Sequence, residues 1–407
     1  MISMTWSFWA RILCIYLVVT TAVSVPVAAQ IDFWDEQRKG ANGDGGAVEN
    51  GDTTPEAWFA AASAAGLEYV RLIPVEWVSE GRDFLLGNAD NYTTIPEADL
   101  NQLMDVLDIA HRQNVKIVLT MFSLPGARNR QENGGVFDYR LWTDEGYQTQ
   151  AISFWKSLAA ELKGHPALVG YNPLNEPHPE RKDGFDSLGK MAGIERWLEE
   201  SEGTAADLNR FNRRIVQAIR SEDAYMPIIL EGWFHADPEG VRFLDPIDDP
   251  AILYSFHTYG DWNFATYRVN NGQFAYPDKM PGAIGQATRA WSEQDMRDLV
   301  GPVVQWSRQH GIPSSRIMAS EFGCDRRVAG AKDFLEDLIA IFDEYNWHWA
   351  FYSFRSSTWD GLDYELGTKK LGWKYWEKRE AGVSHESLIE RKDNPLWEVF
   401  KTALTHN

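Results

Sequence analysis

Two cysteines in 407 residues, Cys14 and Cys324, leave little scope for covalent cross-linking. Cys14 lies in an N-terminal stretch that reads as a removable leader, so the rest of the chain carries one thiol and no internal disulfide. Basic residues are also scarce, with 39 Lys and Arg against 59 Asp and Glu, a net charge of -20. Such a surface repels phosphate backbones and anionic lipid, which argues against nucleic acid and membrane partners but leaves a neutral polymer unpenalised. Long apolar runs are missing. The run from Ile12 to Val19 is too short to span a bilayer. Arg11, the only charge in the first 29 residues, precedes it, and the small residues Val27-Ala28-Ala29 follow. Residues 1–29 therefore read as a signal peptide, and 30–407 as one mature domain that is secreted or periplasmic. No small residues lead into Cys14, which removes a lipoprotein anchor. No glycine-rich phosphate loop follows an early strand, and none of the nine histidines forms a His-x-His or His-Glu-x-x-His pattern. No cofactor or metal is expected.

What the chain has is hydrophobic residues at 44%, and aromatics: 18 Trp, 15 Tyr and 20 Phe. Most fill a core, though a surplus of indoles also suits a sugar-binding cleft, where a pyranose face stacks on a flat ring. Helix-period and strand-like segments alternate along the whole chain. Thr54-Pro55-Glu56 opens a helix with a capping hydroxyl, a proline at the first position and an acid near the positive end. Leu67 to Ile73 follows as a buried strand. A helix opened by Pro96 and Glu97, with Leu100, Leu103, Met104 and Leu107 on one face, precedes strand 115–121, and five more such pairs place strands near 168–174, 227–231, 252–257, 316–320 and 348–354. A poorly patterned first strand falls near Arg38 to Asn42, and a helix over about 394–404 ends the chain. The architecture expected is α/β, a single (β/α)8 TIM barrel with extended loops after strands 4 and 6, over 176–204 and 258–291. A doubly wound open sheet is the alternative. The second loop carries Trp262, Phe264, Tyr267, Phe274 and Tyr276, which either line a cleft or pack on one another.

Glutamate falls at or just beyond four predicted strand ends: Glu76, Glu176, Glu231 and Glu321. In a barrel these point into the mouth, where burying a carboxylate is costly without compensation. Cleavage of a glycosidic bond needs two such groups, one to protonate the leaving oxygen and one to attack the anomeric carbon or activate water. Position alone does not choose between the four. Local sequence does: Leu168 to Pro177 ends a buried strand in Asn175-Glu176-Pro177, and Ile317 to Gly323 ends another in a glutamate followed by a glycine turn. The Asn175 amide can bond a sugar hydroxyl, and Pro177 stiffens the turn that aims Glu176.

These stretches resemble glycoside hydrolase family five, the cellulase and mannanase family of retaining barrel enzymes. Tyr69-Val-Arg-Leu-Ile-Pro74 is similar to its second-strand motif, whose arginine, here Arg71, holds the nucleophile. Asn175-Glu176-Pro177 matches the acid/base motif, and Glu321 the nucleophile. His257-Thr-Tyr259 resembles the His-x-Tyr that contacts sugar and nucleophile. The resemblance implies double displacement on a β-linked oligo- or polysaccharide, a proton affinity raised at Glu176, and a charged Glu321. The ends of two strands depart from the family pattern. Thr120 and Phe122 stand where an Asp-x-His is usual, although Pro125, Gly126 and Asn129 of the following loop remain. Tyr352 stands where the eighth strand usually delivers a tryptophan beneath the sugar. A glycolipid or exopolysaccharide substrate, or a non-catalytic carbohydrate-binding protein, are the alternatives. Glu76 and Glu231 read as structural or substrate-contacting, Cys324 as buried packing, and His178 as either a subsite contact or loop packing.

Overall fold

The computed structural model describes residues 29–47, 53–185, 192–282, 287–356 and 360–405, and the expected signal peptide over 1–29 lies almost wholly outside them. Eight parallel strands close into a barrel in sequence order: β1 (Lys39–Gly43), β2 (Tyr69–Leu72), β3 (Lys116–Thr120), β4 (Leu168–Asn172), β5 (Ile228–Glu231), β6 (Ile252–Thr258), β7 (Ile317–Phe322) and β8 (His348–Phe351). β1 pairs with β2 on one side and with β8 on the other, Lys39 opposite Trp349. At least one α-helix follows each strand, and the last before the next strand or the chain end is in turn α1 (Pro55–Ala64), α2 (Glu97–Arg112), α3 (Glu145–Leu162), α4 (Leu208–Glu222), the short α5 (Pro238–Val241), α6 (Glu293–His310), α7 (Ala331–Glu344) and α8 (Pro395–Thr405). The open-sheet alternative is thereby excluded. Among the described residues no helix is long and apolar enough to cross a membrane.

Local chemistry accounts for the helix ends. Thr54 accepts from Ala57 N at the start of α1, Asp144 caps α3, Asp207 caps α4, and Ser292 with Asp295 forms a reciprocal capping box on α6. The core has two parts. Between strands and helices runs a continuous apolar layer, including Trp58, Phe154, Trp155, Phe322 and Phe400. Inside the barrel, at the end where the strands begin, Tyr69, Val118, Val169, Ile229, Leu253, Met318 and Ala350 pack beneath Trp34. Trp34 is fully buried, and its indole N–H donates to the Val169 carbonyl at 2.8 Å. A Cβ at Gly40 would lie 2.5 Å from the Tyr69 carbonyl and 2.8 Å from its ring, so only glycine lets β1 approach there.

Side chains alternate in and out along each strand. The register slips between Phe256 and His257, so that His257 pairs with Glu321 rather than with Ser320. Such irregularities re-aim side chains at barrel rims, and this one falls where β6 and β7 deliver their functional groups.

Candidate active site

Arg71 lies at the centre of the mouth. Its side chain is wholly buried and donates to five acceptors: Asn42 Oδ1 at 2.9 Å, Glu321 Oε1 at 2.6 Å, Asn172 Oδ1 at 2.7 Å, Asn175 Oδ1 at 2.6 Å and Glu231 Oε1 at 2.7 Å. Burial opposes its charge, but the carboxylates of Glu231 and Glu321 more than offset that and raise its proton affinity. A planar fork of donors suits this arrangement in a way a lysine would not.

Glu321 ends β7 and is almost entirely buried. Arg71 occupies its Oε1, and the Tyr259 hydroxyl donates to its Oε2 at 2.7 Å. Glu176, four residues past β4, is left-handed at φ 50. Its backbone N–H donates to Glu231 Oε2 at 2.7 Å, while its Oε1 lies 3.0 Å from His257 Nδ1. His257 also stands 3.4 Å from Glu231 Oε1 and 3.6 Å from Glu321 Oε2. Oxygens of Glu176 and Glu321 and a ring nitrogen of His257 all fall within 4.8 Å of one another. These are also the groups among the described residues that could converge on a metal. Arg71 and Tyr259, however, already take both oxygens of Glu321, and an arginine beside it opposes a cation.

Electrostatics in the free site differ from the division that the sequence suggests. Burial pushes Glu321 up, and the nearby Glu176 charge adds to this, against the pull of His257 and Arg71. At Glu176 burial also acts upward, but hydrogen bonding and charge from His235 and His257 outweigh it and hold the carboxyl well below its usual range. Burial would depress His257, yet the charges of Glu321 and Glu231 bring it up to about 10. Without substrate the direction at Glu176 is opposite to the raised proton affinity that the resemblance implies. The reason is placement, since both imidazoles stand against Glu176.

All seven residues named from sequence meet here. Asn175 does so differently from the expectation, its carbonyl oxygen being taken by Arg71. Tyr352 follows directly on β8, with its hydroxyl pushed up first by burial and then by the charges of Glu321, Glu76 and Glu176. Glu231, read as structural or substrate-contacting, is a buried anchor for Arg71 and for the Glu176 backbone. Thr120 is buried with its hydroxyl unpartnered among the described residues, and with Phe122 it lines a small recess bounded by Pro74, Arg82 and Glu132. In the loop after β6, Phe264 and Tyr276 are buried, whereas Trp262 is 67% exposed. The stretch from Asp360 to Gly367 folds back, burying Tyr364 and tying Asp363 to Arg391; Trp359 lies outside the described residues.

Three residues escape the sequence reading. Asn42 sits on the poorly patterned β1, and Asn172 lies one turn before the Asn-Glu-Pro. His235 follows β5 on a turn where Phe234, His235 and Ala236 are all left-handed, at φ 59, 56 and 59. Each costs roughly 1–2 kcal/mol for a residue with a side chain. No periodicity announces it.

Known proteins resemble this chain over the same span. The family model "Cellulase (glycosyl hydrolase family 5)" matches residues 34–358. Endoglucanase C of Acetivibrio thermocellus is 24% identical over 206 residues, covering 51% of this chain and 50% of that protein. A mannan endo-1,4-beta-mannosidase of Cryptopygus antarcticus is 24% identical over 280 residues, 62% of this chain and 70% of that protein. The chain thus spans about half the length of the endoglucanase. The solved structure of Pseudomonas stutzeri endoglucanase Cel5A shares the fold at a TM-score of 0.58 and 18% identity, over 91% of this chain and 94% of that one.

Proposed function

This chain belongs to glycosyl hydrolase family 5, and on that premise we propose that it is a secreted retaining β-glycosidase that hydrolyses glucan- or mannan-like chains, with Glu176 as acid/base and Glu321 as nucleophile. The observation that carries the reading is the short span between the two carboxyls, whose oxygens come within 4.8 Å. Retaining enzymes hold the pair about 5–5.5 Å apart, and inverting enzymes leave about 6.5–9.5 Å for a water.

The chemistry follows from which oxygen is already engaged. Arg71 and Tyr259 fix the Glu321 carboxylate from both sides, so it can approach the anomeric carbon without rotating. A carboxylate oxygen of Glu321 bonds to that carbon as the bond to the leaving oxygen breaks. The leaving oxygen takes the proton of Glu176. In the second half, water gives a proton to Glu176 and its oxygen displaces Glu321, which recovers its electron pair. Three carboxyls, Glu176, Glu231 and Glu321, face two cations, Arg71 and His257, so one carboxyl proton makes the cluster neutral. Coupled groups this close share such a proton as a pair. Catalysis requires it on Glu176, and the growing positive charge of the sugar ring favours that placement by stabilising an ionised Glu321.

Turnover on a panel of β-glucan, β-mannan and aryl β-glycosides, read by product analysis, is the test. Glu176→Gln is expected to lose about 10²–10⁴-fold in kcat on poor leaving groups, and Glu321→Gln to keep binding but lose turnover. A wild type inert on every such glycan, while still binding them, would establish a carbohydrate-binding protein instead.

A further inference from the structure

The turn after β5 holds three successive left-handed residues, none of them glycine, and it is built to stay that way. A Cβ on Gly240 would lie 2.1 Å from the Trp233 carbonyl oxygen, so α5 approaches the turn only because that residue is glycine. Phe234 N–H donates to the buried Glu180 carboxyl at 3.2 Å, and His235 N–H to the Pro177 carbonyl at 3.3 Å. Backbone held in a disfavoured region by so many surrounding constraints points to something gained by it.

What the turn presents is the His235 ring. Its Nδ1 stands 3.6 Å from Glu176 Oε2, the oxygen that His257 leaves free. The ring is fixed from behind by His178, stacked at 4.1 Å between centroids and 19° between planes. His178 is in turn anchored by its Nδ1, 2.5 Å from the Glu176 carbonyl oxygen, and by Phe137 against its edge. The acid/base and its histidine are thus locked into one unit spanning the β4 and β5 loops.

We propose that His235 is a positioning residue for the acid/base, holding Glu176 Oε2 and setting the pH above which Glu176 can no longer supply a proton. The inference rests on the proposed role of Glu176. The other charged or titratable groups facing that carboxyl are His257 from β6, Glu321 from β7, Glu231 from β5, Arg71 from β2, and Tyr259 and Tyr352 beyond β6 and β8. His257 stands near three carboxyls at once, whereas among the described residues His235 pairs with the Glu176 carboxyl alone. A donor or cation beside a carboxylate favours its ionised form, so removing His235 should let Glu176 keep its proton to higher pH.

The test uses His235→Asn, because asparagine tolerates the left-handed backbone, with His178→Ala as a second variant that frees the ring without touching the turn. On a glycoside with a poor leaving group, the alkaline limb of kcat/KM should move up by about one pH unit in His235→Asn, and by less in His178→Ala. On an aryl glycoside whose leaving group needs no proton, kcat/KM, which reports the first displacement alone, should hardly change. A ¹³C titration of the Glu176 carboxyl should show the same upward shift without any turnover. An unmoved limb and an unmoved titration, or equal losses on both leaving groups, would overturn the proposal. A wild type without turnover would defeat the glycosidase reading alone, since the titration still reports the pairing of His235 with Glu176.

Discussion

Arg71 satisfies five acceptors from the ends of four strands, two of them carboxylates with no other cation as near. Removing it leaves Glu231 and Glu321 buried with His257, at 3.4 and 3.6 Å, as their nearest remaining cation. Breaking a buried pair in this way typically costs about 3–5 kcal/mol. Arg71→Ala is therefore expected to lose stability on that scale in a denaturant melt, besides losing turnover. Arg71→Lys should keep more stability but little activity, since one ammonium cannot bridge both carboxylates and three amides. At this scale the sequence was a good guide where chemistry is written in adjacent residues. Asn175-Glu176-Pro177 and His257-Thr-Tyr259 could be read because neighbours in sequence stay neighbours in the site. His235 and Asn42 could not, because each reaches the mouth through backbone geometry rather than through a pattern of side chains.

The connection between β4 and β5 behaves as an element with its own acid–base logic. Glu180, in the turn after the acid/base, is buried, and one of its carboxyl oxygens has no partner. Burial pushes this carboxyl from the ordinary 4.5 up to about 8. The folded protein therefore keeps a proton there that the unfolded chain has released, over the range between those values. The stability contributed by the neutral carboxyl is complete below about 4.5 and is lost as the pH rises through about 8. Glu180→Gln keeps the acceptor for Phe234 N–H and has no charge to bury. It should melt on the order of a few degrees higher than wild type at pH 9 and at the same temperature at pH 4, by calorimetry. Elements themselves were readable from sequence to within a few residues, as at α1, α3 and α6, where the caps carry the signal. β8 is shorter than its apolar run suggests, ending at Phe351. The apolar run continues because Phe354 packs on Trp58 in the layer outside the barrel.

For the whole molecule, export is a proposal that rests on the leader-like residues 1–29. Our reading of residues 1–29 as a signal peptide gives a sharp expectation. Expressed in a secreting host, the full chain should appear in the medium or periplasm beginning at Gln30, by N-terminal sequencing. Retention of the leader on a cytoplasmic product would refute it. Alternation pointed to the barrel class because each strand–helix unit repeats the same change of period, but the choice against a doubly wound open sheet is made by the pairing of β1 with β8. The loops after β4 and β6 were visible only as lengths, since what they enclose depends on contacts between segments far apart in the chain.

The pairing of β1 with β8 sets the order in which the protein can be assembled. Lys39 to Ala41 must wait, with one edge unsatisfied, until Trp349 to Phe351 has been made. Trp34 must also wait, because the layer it covers draws on β7 and β8 as well as on the earlier strands. Every intermediate short of that point is an open curved sheet with two bare edges, the arrangement most prone to pairing with another chain. Contacts across some three hundred residues make closure slow. A chain exported before closing would thus complete its barrel only after crossing, where its strong negative charge keeps unfinished copies apart.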